Sequence, residues 1–380
     1  MIEPQQAAPD ESVKRFLRLC LRHRWDPTAL GAARTLTTHG DFDWDGLRQV
    51  AQAEGLAPLL YRIVRGQNLL PLSVKQDLRR AYDENVLRNT FLFHKLEEVL
   101  RHLATEGVDI ILLKGAALSK TVYGSAGVRP MGDLDLLVRE EDVPTALRVL
   151  PALGYETVPP LAYRSEVMLR KQGLVETVIE VHWNLFVPPY YQHVLPIDWF
   201  WQTALPVRIG NAPSLVLGPE AQVLHLCGHL LLHHSGEELL WLHDVAEVIA
   251  FYREQIDWEQ VLARAQAYDL VLPTQQILTR VGEEWQAPIP PDVLERLRAL
   301  RPSRDEERVF AWLAARHSSA AQRFWADLAS MPGWGPRLRF VWRNLFPPAG
   351  YVQHCYRIAH PLLLPLYYPY RWFLGLRSAL

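Results

Sequence analysis

The sequence predicts an α+β protein in which a mixed β-sheet core is flanked by helices, with helical regions before and after it. Three observations lead there. Apolar residues recur at spacings of three and four through the first hundred positions, as in Leu17, Cys20 and Leu21, and again in Leu92, Phe93, Leu96, Val99, Leu100 and Leu103. At Val108 the period shortens to that of strands, and strand-like runs continue to about position 217. From Pro219 helical patterning resumes. The expected divisions are an N-terminal helical region at 1–105, the core at 106–217, a C-terminal helical domain at 218–327 and a tail at 328–380.

With 380 residues and 43.7 kDa, the chain is long enough for two or three modules and a sizeable core. Forty basic and 42 acidic residues leave a formal net charge of -2, so global electrostatics make no case for nucleic acid as the main partner. Cys20, Cys227 and Cys355 are far apart and lack metal-ligand spacing, which fits unpaired thiols in a reducing compartment. The first residues, MIEPQQAAPDESVKRF, show no basic stretch followed by an apolar one, and no run reaches the roughly 18 apolar residues of a spanning helix. The expectation is a cytoplasmic protein.

Within the N-terminal region, Gly55 ends one helix and Pro58 suits the first turn of the next. Val108 to Leu113 is apolar apart from Asp109, the pattern of a strand covered on both faces, and Lys114-Gly115 closes it. Ala116 to Tyr123 has the length of a two-turn helix whose start can offer backbone N–H groups to phosphate. Gly124 to Gly132 reads as a loop with three glycines, in which Pro130 holds Arg129 extended.

Asp133 to Val138 is the second predicted strand, followed by a helix from Glu141 to Leu153 with Gly154 past its end. Tyr163 to Arg170 and Leu174 to Trp183 form a candidate hairpin around Lys171-Gln172-Gly173. In its second arm Glu176, Val178, Glu180 and His182 share one face. Val207 to Asn211 reads as a turn into a last short strand. Further on, His225, His229 and His233 lie on one helical face. They span about 12 Å and cannot all close on one tetrahedral ion, so packing is the expected role. Glu237, Glu238 and Asp244 are expected on a helix surface or as caps.

The chemistry concentrates between Val108 and Val138. Asp133 and Asp135 alternate with Leu134, so both carboxylates face one way, and two acids so placed suit a magnesium ion shared with substrate phosphates. The order apolar strand, Lys114-Gly115, short helix, Arg129-x-x-x-Asp133-x-Asp135, then Glu180-Val181-His182-Trp183 resembles the uncharacterised nucleotidyltransferase family of bacteria. That family belongs to the nucleotidyltransferase superfamily of DNA polymerase beta and the aminoglycoside nucleotidyltransferases. The similarity runs from about residue 25 to about residue 250. It implies a nucleotidyltransferase-like core and a magnesium-dependent enzyme using a nucleoside triphosphate.

On that reading Asp133, Asp135 and Glu180 are the catalytic metal ligands for one or two magnesium ions, as in-line nucleotidyl transfer requires. Glu176 shares a face with Glu180; Glu180 is preferred because its block matches the family order. Lys114 and Arg129 are placed to meet triphosphate oxygens, Gly115 lets backbone amides approach, and His182 contacts nucleotide or serves as a structural histidine. The superfamily usually has Gly-Ser where this chain has Lys114-Gly115. The acceptor, a small molecule or a protein hydroxyl, is left open.

Two other readings compete. One is a non-catalytic nucleotide- or partner-binding protein of the same fold, and the other is a toxin-like nucleotidyltransferase acting on tRNA, which the near-neutral charge disfavours. After Leu328 no Asp or Glu occurs, while Arg337, Arg339, Arg343, Arg357, Arg371 and Arg377 stand among aromatic residues. This tail is expected to touch the inner membrane surface or a partner peripherally, or else to pack on the C-terminal helices. Pro361, Pro365 and Pro369 are expected to break any long helix in it.

Overall fold

A computed structural model describes residues 11–38, 42–158, 165–186, 188–234, 236–314, 320–331, 333–347, 349–356, 358 and 360–379. Five α-helices come first, Glu11–Leu21, Ala29–Leu36, Trp44–Ala53, Ala57–Val64 and the long Leu72–Thr105. Gly55, at φ 67°, ends the third and Pro58 lies in the first turn of the fourth.

The expected change of period is seen as seven strands: β1 (Ile111–Leu112), β2 (Leu134–Leu137), β3 (Glu156–Thr157), β4 (Glu166–Lys171), β5 (Thr177–His182), β6 (Leu205–Ile209) and β7 (Ala212–Val216). They form one mixed sheet in the order β3-β4-β5-β2-β1-β7-β6. β2 pairs antiparallel with β1 but parallel with β5, and β4 and β5 make the expected antiparallel hairpin. Of the predicted first arm, Tyr163 to Arg170, only residues 163–164 lie outside the described residues, and Glu166 to Arg170 enter β4. The reading of 207–211 as a turn is corrected: Val207 to Ile209 belong to β6, and the chain reverses at Gly210, φ 55°. A β-branched run with an arginine satisfies a solvent-facing edge strand as well as a turn, and pairing with β7 decides it.

Strand alternation gives the sheet two differently used faces. Leu112, Leu134, Leu136, Ile179 and Val181 join Leu92, Leu96 and Val99 of the long helix in one core, closed by the Val143–Ala152 helix. Ile111, Leu113 and Leu137 turn the other way, into a larger core shared with the helices Pro219–His233 and Leu239–Phe251. Because Asp135 alternates with Leu134 and Leu136, it faces this second side. The site is therefore enclosed between the sheet and the C-terminal helices.

The tail carries a correction. A helix spans Leu364–Ala379 with Pro369 inside it, although three prolines were expected to prevent that. Pro365 occupies the first turn, where no N–H is needed, and both Pro365 and Pro369 are exposed, so water can satisfy the carbonyl that Pro369 leaves without a partner.

Candidate active site

The parallel β2–β5 register places Asp135 opposite Glu180 and Leu137 opposite His182. In parallel strands, paired residues project to the same face, so the carboxylates of Asp135 and Glu180 emerge side by side. β4 closes the group from the other edge, with Glu166 opposite His182. Ligand atoms of Asp135, Glu180 and His182 all lie within 4.8 Å of one another. Asp133 stands half-buried just before β2, outside that tight group but close enough for its charge to be felt by both acids.

Two cations hold these acids. Lys114 Nζ donates to Asp135 Oδ1 at 2.7 Å and lies 4.0 Å from Glu180. His182 Nε2 is 3.0 Å from Asp135 Oδ1 and 3.4 Å from Glu180, while its Nδ1 is 3.5 Å from Glu166. Burial alone would lower the His182 pKa, but hydrogen bonds to Asp135 and Glu180 push it up to about 9. Burial would likewise raise Asp135, yet Lys114 and His182 hold its carboxyl well below the usual range. Asp133, with burial and the Asp135 charge against it, is raised to about 6. The two carboxylates thus favour the protonated form of the His182 ring.

Lys114 is at a strained corner. It opens the Lys114–Lys120 helix with φ 46°, a left-handed backbone that a side chain rarely adopts, and sits where the strand turns into that helix. A Cβ on the next residue, Gly115, would lie 3.0 Å from Met131 Cγ and 3.2 Å from Arg129 Nη1. In this structure the glycine admits the following loop against the corner. The loop itself is clamped by the long helix: Asn85 Nδ2 donates to Gly127 O at 2.9 Å, and Asn89 Nδ2 to Ala126 O at 2.6 Å and Arg129 O at 2.8 Å.

The loop aims Arg129 away from solvent. Its Nε and Nη2 donate to Asp244 Oδ2 at 3.2 and 2.8 Å, and Tyr123 Oη donates to Asp244 Oδ1 at 2.7 Å. Asp244 is buried on the Leu239–Phe251 helix, not on a helix surface as the sequence suggested. An acid among apolar helix neighbours carries no local sign of a partner 115 positions earlier in the chain. Glu166, within reach of His182, was missed for the same kind of reason, although counting back from the hairpin turn pairs 166 with 182. Glu176 is exposed before β5, bonded by Gln172 at 2.9 Å, and is not part of the cluster.

On the C-terminal side, a cavity of about 20 Å³ is lined by Lys114, Arg129, Leu226, His229, Trp241 and Asp244, room for about one water-sized group. The His229 ring stacks on Trp241 at 4.8 Å between centroids, and neither of its nitrogens has a hydrogen-bond partner among the described residues. Burial, then the charge of Lys114, drives its pKa well below the usual value, so it is a neutral imidazole facing the site. His225 is lowered to about 3 by the same burial. Of the histidine row, His229 lines the cavity beside the site.

The donor set fits a hard divalent ion. The donors that converge are the Asp135 and Glu180 carboxylates and the His182 imidazole; the carboxylate oxygens are of the kind magnesium takes, and Lys114 already places a positive charge among them. His182 turns Nε2 to Asp135, orienting its oxygens, and its imidazole is itself among the three converging donors.

Residues 40–285, more than half of the chain, match a family described as uncharacterised nucleotidyltransferase. Among solved structures, the chain is similar to an antigenic nucleotidyltransferase-like protein from Paracoccidioides brasiliensis, at 16% identity and a TM-score of 0.37, over 56% of this chain and 94% of that one. No curated protein matches. With the matched span covering the corner, both strands and the helix that buries Asp244, the chain belongs to the uncharacterised nucleotidyltransferase family.

Proposed function

We propose that the protein transfers a nucleoside monophosphate from a nucleoside triphosphate to an acceptor hydroxyl, releasing pyrophosphate, with Asp133, Asp135 and Glu180 holding magnesium. The observation that carries this reading is the β2–β5 register, which sets Asp135 beside Glu180 with Lys114 between them. Magnesium, when bound, would neutralise phosphate charge where it develops. The chain's own residues do the rest. Lys114 exchanges its hold on Asp135 for the phosphates, while His182 keeps the carboxylates ionised and aimed. Gly115 keeps the strand-to-helix corner compact enough for phosphate to approach. Arg129, its charge balanced by Asp244, fixes the loop against the Lys114-Gly115 corner. The acceptor enters from the His229 and Trp241 side, and Glu180, less buried than Asp135, takes its proton.

A second reading, nucleotide binding without turnover, is favoured by one feature: Lys114 and His182 already satisfy Asp135, so the fold needs no ion to hold the acids together. Incubation with each labelled triphosphate and magnesium, with cell extract as the source of acceptors, separates the two. Pyrophosphate release, lost in the Asp133→Ala/Asp135→Ala double variant, supports transfer. Triphosphate binding with no release supports binding alone, and no binding rejects both.

A further inference from the structure

The C-terminal tail turns apolar side chains outward in a pattern that the transferase reading does not use. In the Trp334–Leu345 helix, Trp334, Leu338, Trp342 and Leu345 are 77, 66, 63 and 40% exposed. Their spacings of four, four and three put them on one stripe about 80° wide at about 100° per residue. Phe340 points to the opposite side, buried against Phe324, so the helix is anchored by its back and not by this stripe. The Leu364–Ala379 helix repeats the arrangement with Leu366, Tyr370 and Phe373 at 68, 50 and 62% exposure.

The two helices are joined through the face of the second helix opposite its stripe. Trp372 Nε1 donates to Leu345 O at 2.8 Å, Tyr368 Oη donates to Pro347 O at 3.0 Å, and the Phe346 ring meets both aromatic rings. An exposed apolar surface of this extent marks a docking face. Its charge identifies the occupant. From Leu328 to the end the sequence has six arginines and no acid, and the exposed Arg339 flanks the first stripe. Tryptophan and tyrosine beside arginine suit the headgroup level of an anionic bilayer, where a ring has one apolar and one polar side. No helix among the described residues is long and apolar enough to cross a membrane, so the geometry is that of helices lying on the surface.

We propose that the tail docks the protein onto an anionic lipid surface through these exposed stripes, with Arg339 beside the first of them at the phosphates. The test is co-sedimentation of the full chain with phosphatidylcholine vesicles, with and without about a third phosphatidylglycerol. The wild type is expected to pellet with the anionic vesicles, at least tenfold more weakly with phosphatidylcholine alone, and more weakly as salt rises. A Leu338→Gln/Trp342→Gln/Leu366→Gln variant changes exposed positions only and is expected to lose at least tenfold in partitioning while unfolding at the wild-type temperature. Wild type that stays in the supernatant overturns the proposal, as does a variant that pellets equally. So does a lipid-free dimer that the same substitutions convert to monomer, because a second copy then covers the face.

Discussion

The cluster of Asp135, Glu180, His182 and Lys114 is a balance of buried charges, and single substitutions unbalance it. Asp135→Asn leaves Lys114 and His182 facing fewer negative charges in a buried setting. Loss of one partner from such a group costs about 3–5 kcal/mol, so urea unfolding should show a fall of that order together with lost transfer. Lys114→Met should likewise lower stability and transfer: without the lysine the acids repel one another, and magnesium should then raise the melting temperature of the variant more than that of the wild type.

A second residue-scale prediction concerns Glu247, 1% exposed and paired with Arg24 at 2.5 Å. Burial, with the Asp244 charge and against Arg24, raises its pKa to about 7 from 4.5. The folded state thus keeps a proton that the unfolded state releases between about pH 4.5 and 7. Stability should fall across that window as pH rises, with the full cost present above pH 7. Relative to Glu247→Gln, the wild type should lose on the order of 2–3 kcal/mol between pH 5 and 8 by urea unfolding. Parallel curves would show that Glu247 does not titrate there.

At the scale of elements, the long helix positions the site by holding a loop. Asn85 and Asn89 interrupt its apolar stripe one turn apart and donate to loop carbonyls. Asn89→Ala should cost about 1–3 kcal/mol, because buried acceptors lose their donor, and it should speed amide exchange in residues 124–132. If exchange there is unchanged, the loop is held by other contacts. Gly127→Ala should be harsher, since a Cβ would lie 2.5 Å from Val86 Cγ2 and 2.8 Å from the Tyr82 ring.

Elements of strong periodicity were legible in the sequence: the N-terminal helices, the strand expected from Val108 to Leu113 and found at Ile111–Leu112, the hairpin carrying Glu180 and the helix with Gly154 past its end. Legibility stopped where long-range pairing decides. Arg129 reads as a phosphate ligand because it is a cation in a glycine loop, and nothing local reveals that Asp244 takes its guanidinium. Pro369 reads as a helix breaker because local rules do not weigh exposed carbonyls that water can serve.

For the whole molecule, a sheet with one face under the N-terminal long helix and the other facing the C-terminal helices puts the carboxylates at an enclosed junction. On the C-terminal side of that junction, His229 and Trp241 line a small cavity with Lys114 and Arg129. The central claim is that Asp133, Asp135 and Glu180 hold a divalent ion for a nucleoside triphosphate. Calorimetric titration of each common triphosphate, with magnesium and with a chelator, tests it most directly. Binding of at least one should require magnesium and weaken by about 100-fold or more in Asp133→Ala/Asp135→Ala. Binding that is equal with chelator, or equal in the double variant, would contradict it.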